Sequence, residues 1–263
     1  MSDGLLSHRD ERGVTTLTLD RPDVHNAFDD KLIESLRSAL LECDRDPQTR
    51  IIVLTGSGKS FSSGADLNWM QAIAGFSEEE NVEDALHLAE LMAVLNGARK
   101  PTVARVNGHA FGGGVGLIAC CDIAIGTQES KFALSEVRLG LVPAVISPYV
   151  VSAIGERQAR RFFLTGEVFD AAKAREIGLL HIAAAHEDLD TEAEKIIDAL
   201  LAGGPEAQLA SKNLVANISH HGVTASHALR RRTAELIAQL RGSAEGQEGL
   251  SAFLEKRKPG WRD

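Results

Sequence analysis

The chain is poor in aromatic residues, cysteine and basic charge. Only 5% of its 263 residues are Phe, Trp or Tyr, and tyrosine occurs once. The three cysteines, Cys43, Cys120 and Cys121, form no CxxC pair, which excludes a disulfide framework and a cysteine-based zinc site. Acidic residues outnumber basic ones and give a net charge of −9. Because nucleic-acid binding relies on clustered Lys and Arg, this balance predicts no nucleic-acid partner.

Signals for export, membrane insertion and metal binding are also lacking. The N-terminal letters MSDGLLSHRDERG do not have the charged-then-apolar order of a signal peptide, and no stretch has the apolar length of a membrane span. The histidines show no HExxH or other ligand spacing, and no GxSxG nucleophile motif occurs. We therefore expect a cytoplasmic protein with no membrane partner and no metal.

Apolar patterns in the first part of the chain alternate between the strand period and the helix period. Val14–Asp20 and Ile51–Thr55 have strand composition, and the second is apolar throughout, as in a strand buried on both faces. Asp29–Cys43 has leucines and an isoleucine at helical spacing, with Asp29 or Asp30 as the N-cap. This order predicts an α/β architecture.

The same alternation continues to about residue 190. Gly56–Leu67 is interpreted as a polar loop that runs into a short helix, and Thr102–Val106 as a strand. Glu79–Gly97 is predicted to be a longer helix with a buried stripe. The members of that stripe are Val82, Ala85, Leu86, Ala89, Met92 and Ala93. We predict one α/β body over residues 1–190.

Residues 191–263 show helical periods only. Glycine and proline separate these periods at Gly203-Gly204-Pro205, Gly222 and Gly242. The final predicted helix carries three large apolar residues on one face, namely Leu250, Phe253 and Leu254. We predict a helical C-terminal region that follows the α/β body.

Two of the glycine-containing segments are candidates for backbone hydrogen-bond donors. Gly112-Gly113-Gly114 lies between a strand and an apolar helix, where free N–H groups and the helix dipole can stabilise an anion. Close packing of that helix against the sheet explains these glycines equally well. Ser63-Gly64-Ala65-Asp66 can supply a second donor, or it can be a simple helix N-cap.

Glu136 is the candidate acid-base residue. It follows an apolar strand in which Phe132 and Leu134 have the same parity, so its carboxyl group can point inward, where burial would raise its pKa. The alternative is an ion pair with Arg138 or Lys131. Two backbone-donor segments with one acid suit a reaction in which an enolate-like oxyanion forms and a proton moves.

Five ordered motifs then point to a known family. They are RPDVHNAF at 21–28, SFSSGADL at 60–67, RKPTVARVNGHAFGGGVGLIACCD at 99–122, FALSEVRLGLVP at 132–143 and FLEKRKPGW at 253–261. In these motifs, and over nearly its whole length, the chain resembles the enoyl-CoA hydratase/isomerase (crotonase) superfamily. The resemblance implies a crotonase-like spiral of ββα repeats with a C-terminal helical trimerisation region. It also implies a homotrimer, or a hexamer built as a dimer of trimers.

The resemblance further implies an acyl-CoA thioester as substrate, so coenzyme A is part of the substrate and no separate cofactor is expected. The thioester oxygen would lie between the backbone N–H groups of Ala65 and Gly113, and Glu136 would be the catalytic carboxylate. The residues implied in binding substrate and CoA are Val24, Ser63, Ala65, Asp66, Leu67, Gly113 and Lys256.

Gly116 departs from the pattern of typical hydratases, which carry a first catalytic glutamate at this position. The segment LSEVRLGLVPAVISPYVVSAIGER nevertheless resembles bacterial methylglutaconyl-CoA hydratases of leucine or branched acyl-CoA breakdown. The implied reaction is the addition of water to an α,β-unsaturated acyl-CoA through Glu136 alone. The alternatives are a Δ3,Δ2-enoyl-CoA isomerase and a catalytically weak acyl-CoA-binding homologue.

Overall fold

The computed structural model describes residues 4–73, 75–219 and 227–262, so Gly222 lies outside the described residues. The larger of the two sheets has six strands. Its strands, in spatial order, are β1 (Leu5–Arg9), β2 (Val14–Leu19), β3 (Ile51–Gly56), β5 (Thr102–Val106), β7 (Ile123–Thr127) and β10 (Ile182–Ala184). β1 pairs antiparallel with β2, and the remaining pairs are parallel.

A second, smaller sheet lies alongside. It consists of β4 (Ser60–Ser62), β6 (His109–Phe111), β8 (Lys131–Ala133) and β9 (Phe169–Asp170). Each of β3, β5 and β7 is followed directly by a short strand of this second sheet and then by a helical segment. This order produces the predicted series of ββα repeats. The prediction of a continuous loop over Gly56–Leu67 was wrong in part, because β4 lies within it.

Ten helices are present among the described residues. They are α1 (Asp30–Arg45), α2 (Leu67–Ile73), α3 (Glu78–Asn96), α4 (Gly113–Cys120), α5 (Ser147–Thr165), α6 (Ala171–Glu176), α7 (Leu189–Leu201), α8 (Pro205–Ile218), α9 (His227–Gly242) and α10 (Ala244–Glu255). The α1 cap is Asp29, whose side chain accepts a hydrogen bond from the Leu32 amide at 2.9 Å. No helix in these ranges is both long and apolar enough to cross a membrane.

The predicted buried stripe of α3 is confirmed at Met92 but wrong at Val82, Leu86 and Ala93, which are exposed. Val82 and Leu86 are each 53% exposed, whereas the fully buried residues of the helix are Leu91, Met92 and Leu95. Only the C-terminal half of α3 enters the main core, because its first half extends along the edge of a cavity. Ala85 and Leu88 line that cavity, whereas Val82 and Leu86 are exposed and are not among the described residues that line it.

The C-terminal region is helical, as predicted, and the part of it that the structure describes contains no strand. Its first helix, α7, packs onto the six-stranded sheet through Leu189, Ala193 and Ile197. The last helix, α10, does not bury its apolar face within the single chain, and Phe253 is 80% exposed. The division at residues 190 and 191 stays a prediction.

Candidate active site

A cavity of about 440 Å³ lies between the N-terminus of α4, the helices α2 and α3, and the loop at 139–146. Its wall is mostly apolar and includes Trp69 and Met70 from α2. Glu136 is the only ionisable side chain among the described residues that line it. Ser63, Ala65 and Gly113 also line this cavity, so the loop before α2 and the start of α4 meet there.

The Gly113 amide is held by the strand before it and the helix that it begins. Gly112 donates its amide to Ala133 O at 3.0 Å and accepts at its carbonyl oxygen from the Val115 and Gly116 amides. Its φ of +49° is a conformation that favours glycine. Gly113 is the first residue of α4, and its N–H donates to no acceptor among the described residues.

Gly113 is also required for packing. A methyl group added to it would lie 2.8 Å from Cε2 of Phe28. The glycine run therefore serves both for close packing and for hydrogen-bond donation. The close approach of α4 to Phe28 requires glycine, and it leaves the Gly113 N–H free at the cavity wall. A free amide at a helix N-terminus can bind an oxygen that gains negative charge.

The Ala65 amide is oriented by a single bridge between two chain segments. Phe28 donates to Gly64 O at 2.7 Å and accepts from the Asp66 amide at 2.8 Å, which makes a parallel bridge between Phe28 and Ala65. In such a bridge the N–H and C=O of the middle residue, Ala65, face away from the partner strand. Within the described part of the chain the Ala65 N–H has no acceptor.

Gly64 brings the two donor segments together. A methyl group added to Gly64 would lie 2.9 Å from Phe111 O and 3.6 Å from the Gly113 nitrogen. Its φ of +86° and this close approach both favour glycine. The two free amides therefore line one cavity from neighbouring backbone segments.

Glu136 begins a short 3-10 helix, Glu136–Leu139, directly after β8. The expected inward parity is confirmed, since Phe132 and Leu134 are fully buried and Glu136 lines the cavity. The alternative ion pair is wrong, because Oε2 of Glu136 is buried with no hydrogen-bond partner among the described residues. Arg138 instead packs beside Gly166.

The buried environment of Glu136 affects the pKa of its carboxyl group. Burial in the apolar cavity wall raises the pKa of the Glu136 carboxyl group, because the charged form loses its hydration. A methyl group added to Gly112 would lie 3.1 Å from Oε1 of Glu136, which places the carboxylate beside the start of α4. A carboxylate with a raised pKa next to a free amide can take up and release a proton close to a polarised carbonyl.

The space beside Gly116 is occupied by Ile146. A methyl group added to Gly116 would lie 2.3 Å from Cγ2 of Ile146, 2.8 Å from its Cβ and 3.3 Å from Cε of Met92. Ile146 is buried and lines the cavity just before α5. An isoleucine side chain therefore fills the place from which the first glutamate of typical hydratases would extend.

Two of the residues predicted to bind CoA lie together at one edge of the site. Ser63 donates its amide to His25 O at 2.9 Å, and its hydroxyl donates to Val24 O at 3.3 Å. Val24 belongs to the 3-10 helix Pro22–Val24 and is partly exposed. The Val24 and Ser63 segments are therefore joined directly.

Asp66 and Lys256 are not among the described residues that line the cavity. The Asp66 carboxylate pairs with Arg21 and accepts from the Asn68 amide, so it faces into the protein. Leu67 is the first residue of α2. Lys256 is exposed at the C-cap of α10 with a φ of +56°, and within one chain it does not belong to this cavity.

Sequence reasoning missed Ile146 and Arg21. The signal for Ile146 was indirect, because a glycine inside an apolar helix indicates a large neighbour but does not identify it. Arg21 stands in the RPDVHNAF motif, but its ion pairs join residues far apart in the sequence.

Comparison with known proteins agrees with this geometry. The model of the family "Enoyl-CoA hydratase/isomerase" matches residues 9–263. The chain is 47% identical to a crystal structure of an enoyl-CoA hydratase from Shewanella pealeana, with a TM-score of 0.94 and coverage of 98% of this chain and 96% of that one. It is 34% identical to Pseudomonas aeruginosa AtuE, with a TM-score of 0.92 and coverage of 99% and 100%.

A relative without a structural comparison gives the same result. The enoyl-CoA hydratase AKT6-1 of Alternaria alternata is 33% identical over 253 residues, which cover 94% of this chain and 80% of the relative. Its name, the family model and the two structures agree with the two bare amides and the buried carboxylate found here. This chain belongs to the enoyl-CoA hydratase/isomerase family of the crotonase superfamily and is an enzyme of that superfamily.

Proposed function

We propose that this enzyme adds water to an α,β-unsaturated acyl-CoA by means of an oxyanion hole and a single glutamate. The observation that carries the proposal is that the Ala65 amide, the Gly113 amide and Oε2 of Glu136 share one cavity and have no hydrogen-bond partner among the described residues. Each group is one that a conjugate addition to a thioester requires.

In the proposed reaction the thioester oxygen accepts hydrogen bonds from the Ala65 and Gly113 amides. Glu136 takes a proton from a water molecule while the water oxygen forms a bond to C3. The electrons of the C2–C3 double bond then move toward the thioester oxygen and form an enolate. The amides and the α4 dipole stabilise this charge, and loss of one such donor typically costs about 10²–10³ in rate.

The proton on Glu136 then returns to C2, which completes the addition of H and OH to one face of the double bond. The raised pKa suits this double role, because the carboxyl group must both accept and donate a proton near neutral pH. Ile146 fills the place beside Gly116, so no carboxylate extends from that position. Glu136 therefore performs both proton transfers in this proposal.

The proposed acyl group is of the methylglutaconyl type, as in leucine or branched acyl-CoA breakdown. The resemblance of residues 134–157 to methylglutaconyl-CoA hydratases supports it. The chemistry also supports it, because the distal carboxylate of such a substrate can orient the attacking water where the enzyme lacks a second carboxylate. Coenzyme A enters as part of the substrate, and no further cofactor is proposed.

The test compares wild type with Glu136→Gln on 3-methylglutaconyl-CoA, crotonyl-CoA and a 3-enoyl-CoA, with formation of the 3-hydroxyacyl-CoA as the readout. We expect Glu136→Gln to lower kcat by about 10²–10⁴. Glu129→Gln, an exposed carboxylate in the loop before β8, is the matched control and should have wild-type activity. Near-normal hydration by Glu136→Gln would refute the mechanism.

Δ3,Δ2-enoyl-CoA isomerisation is the second candidate, and the packing of Ile146 against Gly116 favours it. A single carboxylate can carry a proton from C2 to C4 with no water in the site. Conversion of the 3-enoyl-CoA without any 3-hydroxy product would establish this reaction instead. Tight acyl-CoA binding without turnover of any of the three substrates would point to a binding homologue.

We also propose that the chain assembles as a homotrimer or a dimer of trimers. The support is the set of exposed apolar side chains on the C-terminal helices, which are Val215, Ile218, Ile237, Leu250, Phe253 and Leu254. In such an assembly, Lys256 at the end of α10 would reach a CoA bound to a neighbouring subunit. Light scattering on wild type and Phe253→Glu tests this, with dissociation expected for the variant.

A further inference from the structure

Arg21 ties together the two chain segments that hold the Ala65 amide. Its Nη2 lies 2.9 Å from Oδ2 of Asp66 and 3.0 Å from Oδ2 of Asp29, and its Nη1 donates to Ala27 O at 2.6 Å. Asp66 directly follows Ala65, while Ala27 and Asp29 flank the bridge partner of Ala65. One guanidinium group therefore spans the bridge from both sides.

The two amides of the site differ in how they are held. Gly113 begins a helix and follows a residue that is hydrogen-bonded to β8. Ala65 belongs to no strand, and an isolated bridge to Phe28 is its only sheet-like pairing. The direction of the Ala65 N–H therefore depends on tertiary contacts, of which the Arg21 cluster is the charged one.

Asp66 extends the effect of Arg21 to the cavity wall. Its Oδ1 accepts from the Asn68 amide at 2.8 Å and from the Trp69 amide at 3.4 Å, so it caps α2. Trp69 and Met70, in the first turn of that helix, line the cavity. The Asp66 side chain is only 5% exposed, so its charge needs the guanidinium as a partner.

We propose that Arg21 is a positioning residue for the reaction. Its guanidinium group fixes the Ala65 amide in the direction of the thioester oxygen, and through Asp66 it fixes the start of α2. This inference rests on the role proposed above for Ala65. Arg21 is not among the described residues that line the cavity, so it would act through Ala65 and Asp66 rather than by contact with the substrate.

The test uses Arg21→Ala and Arg21→Lys, with Arg12→Ala as a matched control. Arg12 also bridges carboxylates, with Asp10 at 2.8 Å and Glu194 at 2.9 Å, but it lies away from the cavity. We expect Arg21→Ala to lower kcat about 10- to 100-fold at temperatures where it is fully folded, because a small misplacement of a catalytic group has effects of that size. Arg21→Lys should lie between Arg21→Ala and wild type, and Arg12→Ala should keep the wild-type kcat.

A spectroscopic measurement tests the hydrogen bonds from the two amides to the thioester oxygen independently of turnover. Cinnamoyl-CoA bound in a Glu136→Gln background should absorb at longer wavelength than in water, because donors at the thioester oxygen polarise the conjugated system. The shift should decrease when Arg21→Ala is added and should persist when Arg12→Ala is added. A structural role alone would change the melting temperature and leave this shift unchanged.

The outcomes distinguish the two proposals. Absence of any shift with Arg21 intact would refute the oxyanion hole and with it the basis of the Arg21 role. A shift that Arg21→Ala leaves unchanged, with unchanged kcat, would overturn the Arg21 proposal alone. An equal loss of kcat in Arg12→Ala would also overturn it, since the effect would then be one of general stability. If Arg21→Ala does not fold, Arg21→Lys decides by the same two measurements.

Discussion

Replacement of Gly116 by alanine should destabilise the wild-type enzyme more than it destabilises a variant in which Ile146 is alanine. In wild type the new methyl group would lie 2.3 Å from Cγ2 of Ile146, far inside van der Waals contact. Overpacking of this kind costs about 1–3 kcal/mol, against a gain of about 1 kcal/mol for alanine over glycine in a helix. We therefore expect a net loss of up to about 2 kcal/mol.

The Ile146→Ala variant removes Cγ2, the atom of closest overlap, but keeps Cβ, which would lie 2.8 Å from the new methyl group. It should itself lose about 2–5 kcal/mol of stability, because a buried side chain is replaced by a cavity. Gly116→Ala should cost less in that background than in wild type, because Cγ2 is gone and the remaining Cβ contact can relax into the vacated space. The coupling between the two sites should reach about 0.5–2 kcal/mol.

Urea unfolding of the four proteins at one fixed concentration measures this cycle, because assembly makes apparent stability depend on concentration. Ile146→Val is the matched control. Valine keeps the Cγ2 atom, so Gly116→Ala should still be destabilising beside it. If Gly116→Ala has the same effect in all backgrounds, Ile146 is not the side chain that fills the space at Gly116.

Three further predictions concern the carboxylate and the α4 amide. Because burial raises the pKa of Glu136, kcat/KM for hydration should rise with pH through a value above the ordinary 4.5 of a glutamate, and a pH profile of wild type should show that step. A carboxyl group whose pKa is higher in the folded state stabilises the fold below its unfolded-state pKa, and this stabilisation is lost as pH rises through the folded-state pKa. Glu136→Gln should therefore melt at a higher temperature than wild type at pH 7, and calorimetry at acidic pH should find the advantage gone. Gly113→Ala keeps the N–H but brings a methyl group to 2.8 Å from Phe28 Cε2, so kcat should fall by up to about 10²-fold as the amide shifts, whereas an unchanged kcat would show that the amide position is not critical.

The elements that could be predicted from sequence are those in which the apolar and polar residues alternate as one kind of burial requires. The strands at 14–19 and 51–56 are buried throughout or on one face, and α1 is capped by an aspartate next to its first turn. The three-residue strand β4 is too short to show any period, so its segment resembled a loop. Val82, Leu86 and Ala93 of α3 were misassigned because helical spacing alone does not distinguish exposed apolar residues from apolar residues in a core.

The residues of the site likewise include some that could be predicted from sequence and some that could not. The free amide of Gly113 followed from its place at a helix start. The parity of Phe132 and Leu134 indicated the inward direction of Glu136, although the structure places Glu136 in a 3-10 helix after β8. The contact between Ile146 and Gly116 could not be predicted, because it joins two elements whose relative placement only the tertiary fold determines. The same holds for Arg21, whose carboxylate partner Asp66 belongs to a different repeat of the fold.

The different supports of the two amides have a consequence for folding order. The Gly113 donor depends on α4 and on β8, which follow each other closely in the sequence. The Ala65 donor forms only when the segment that contains Arg21 and Phe28 docks onto a loop distant in sequence. Loop closure of this kind comes late because its entropy cost precedes its contacts. The enzyme would therefore acquire its secondary structure before its activity, and on warming it would lose activity before its helices melt.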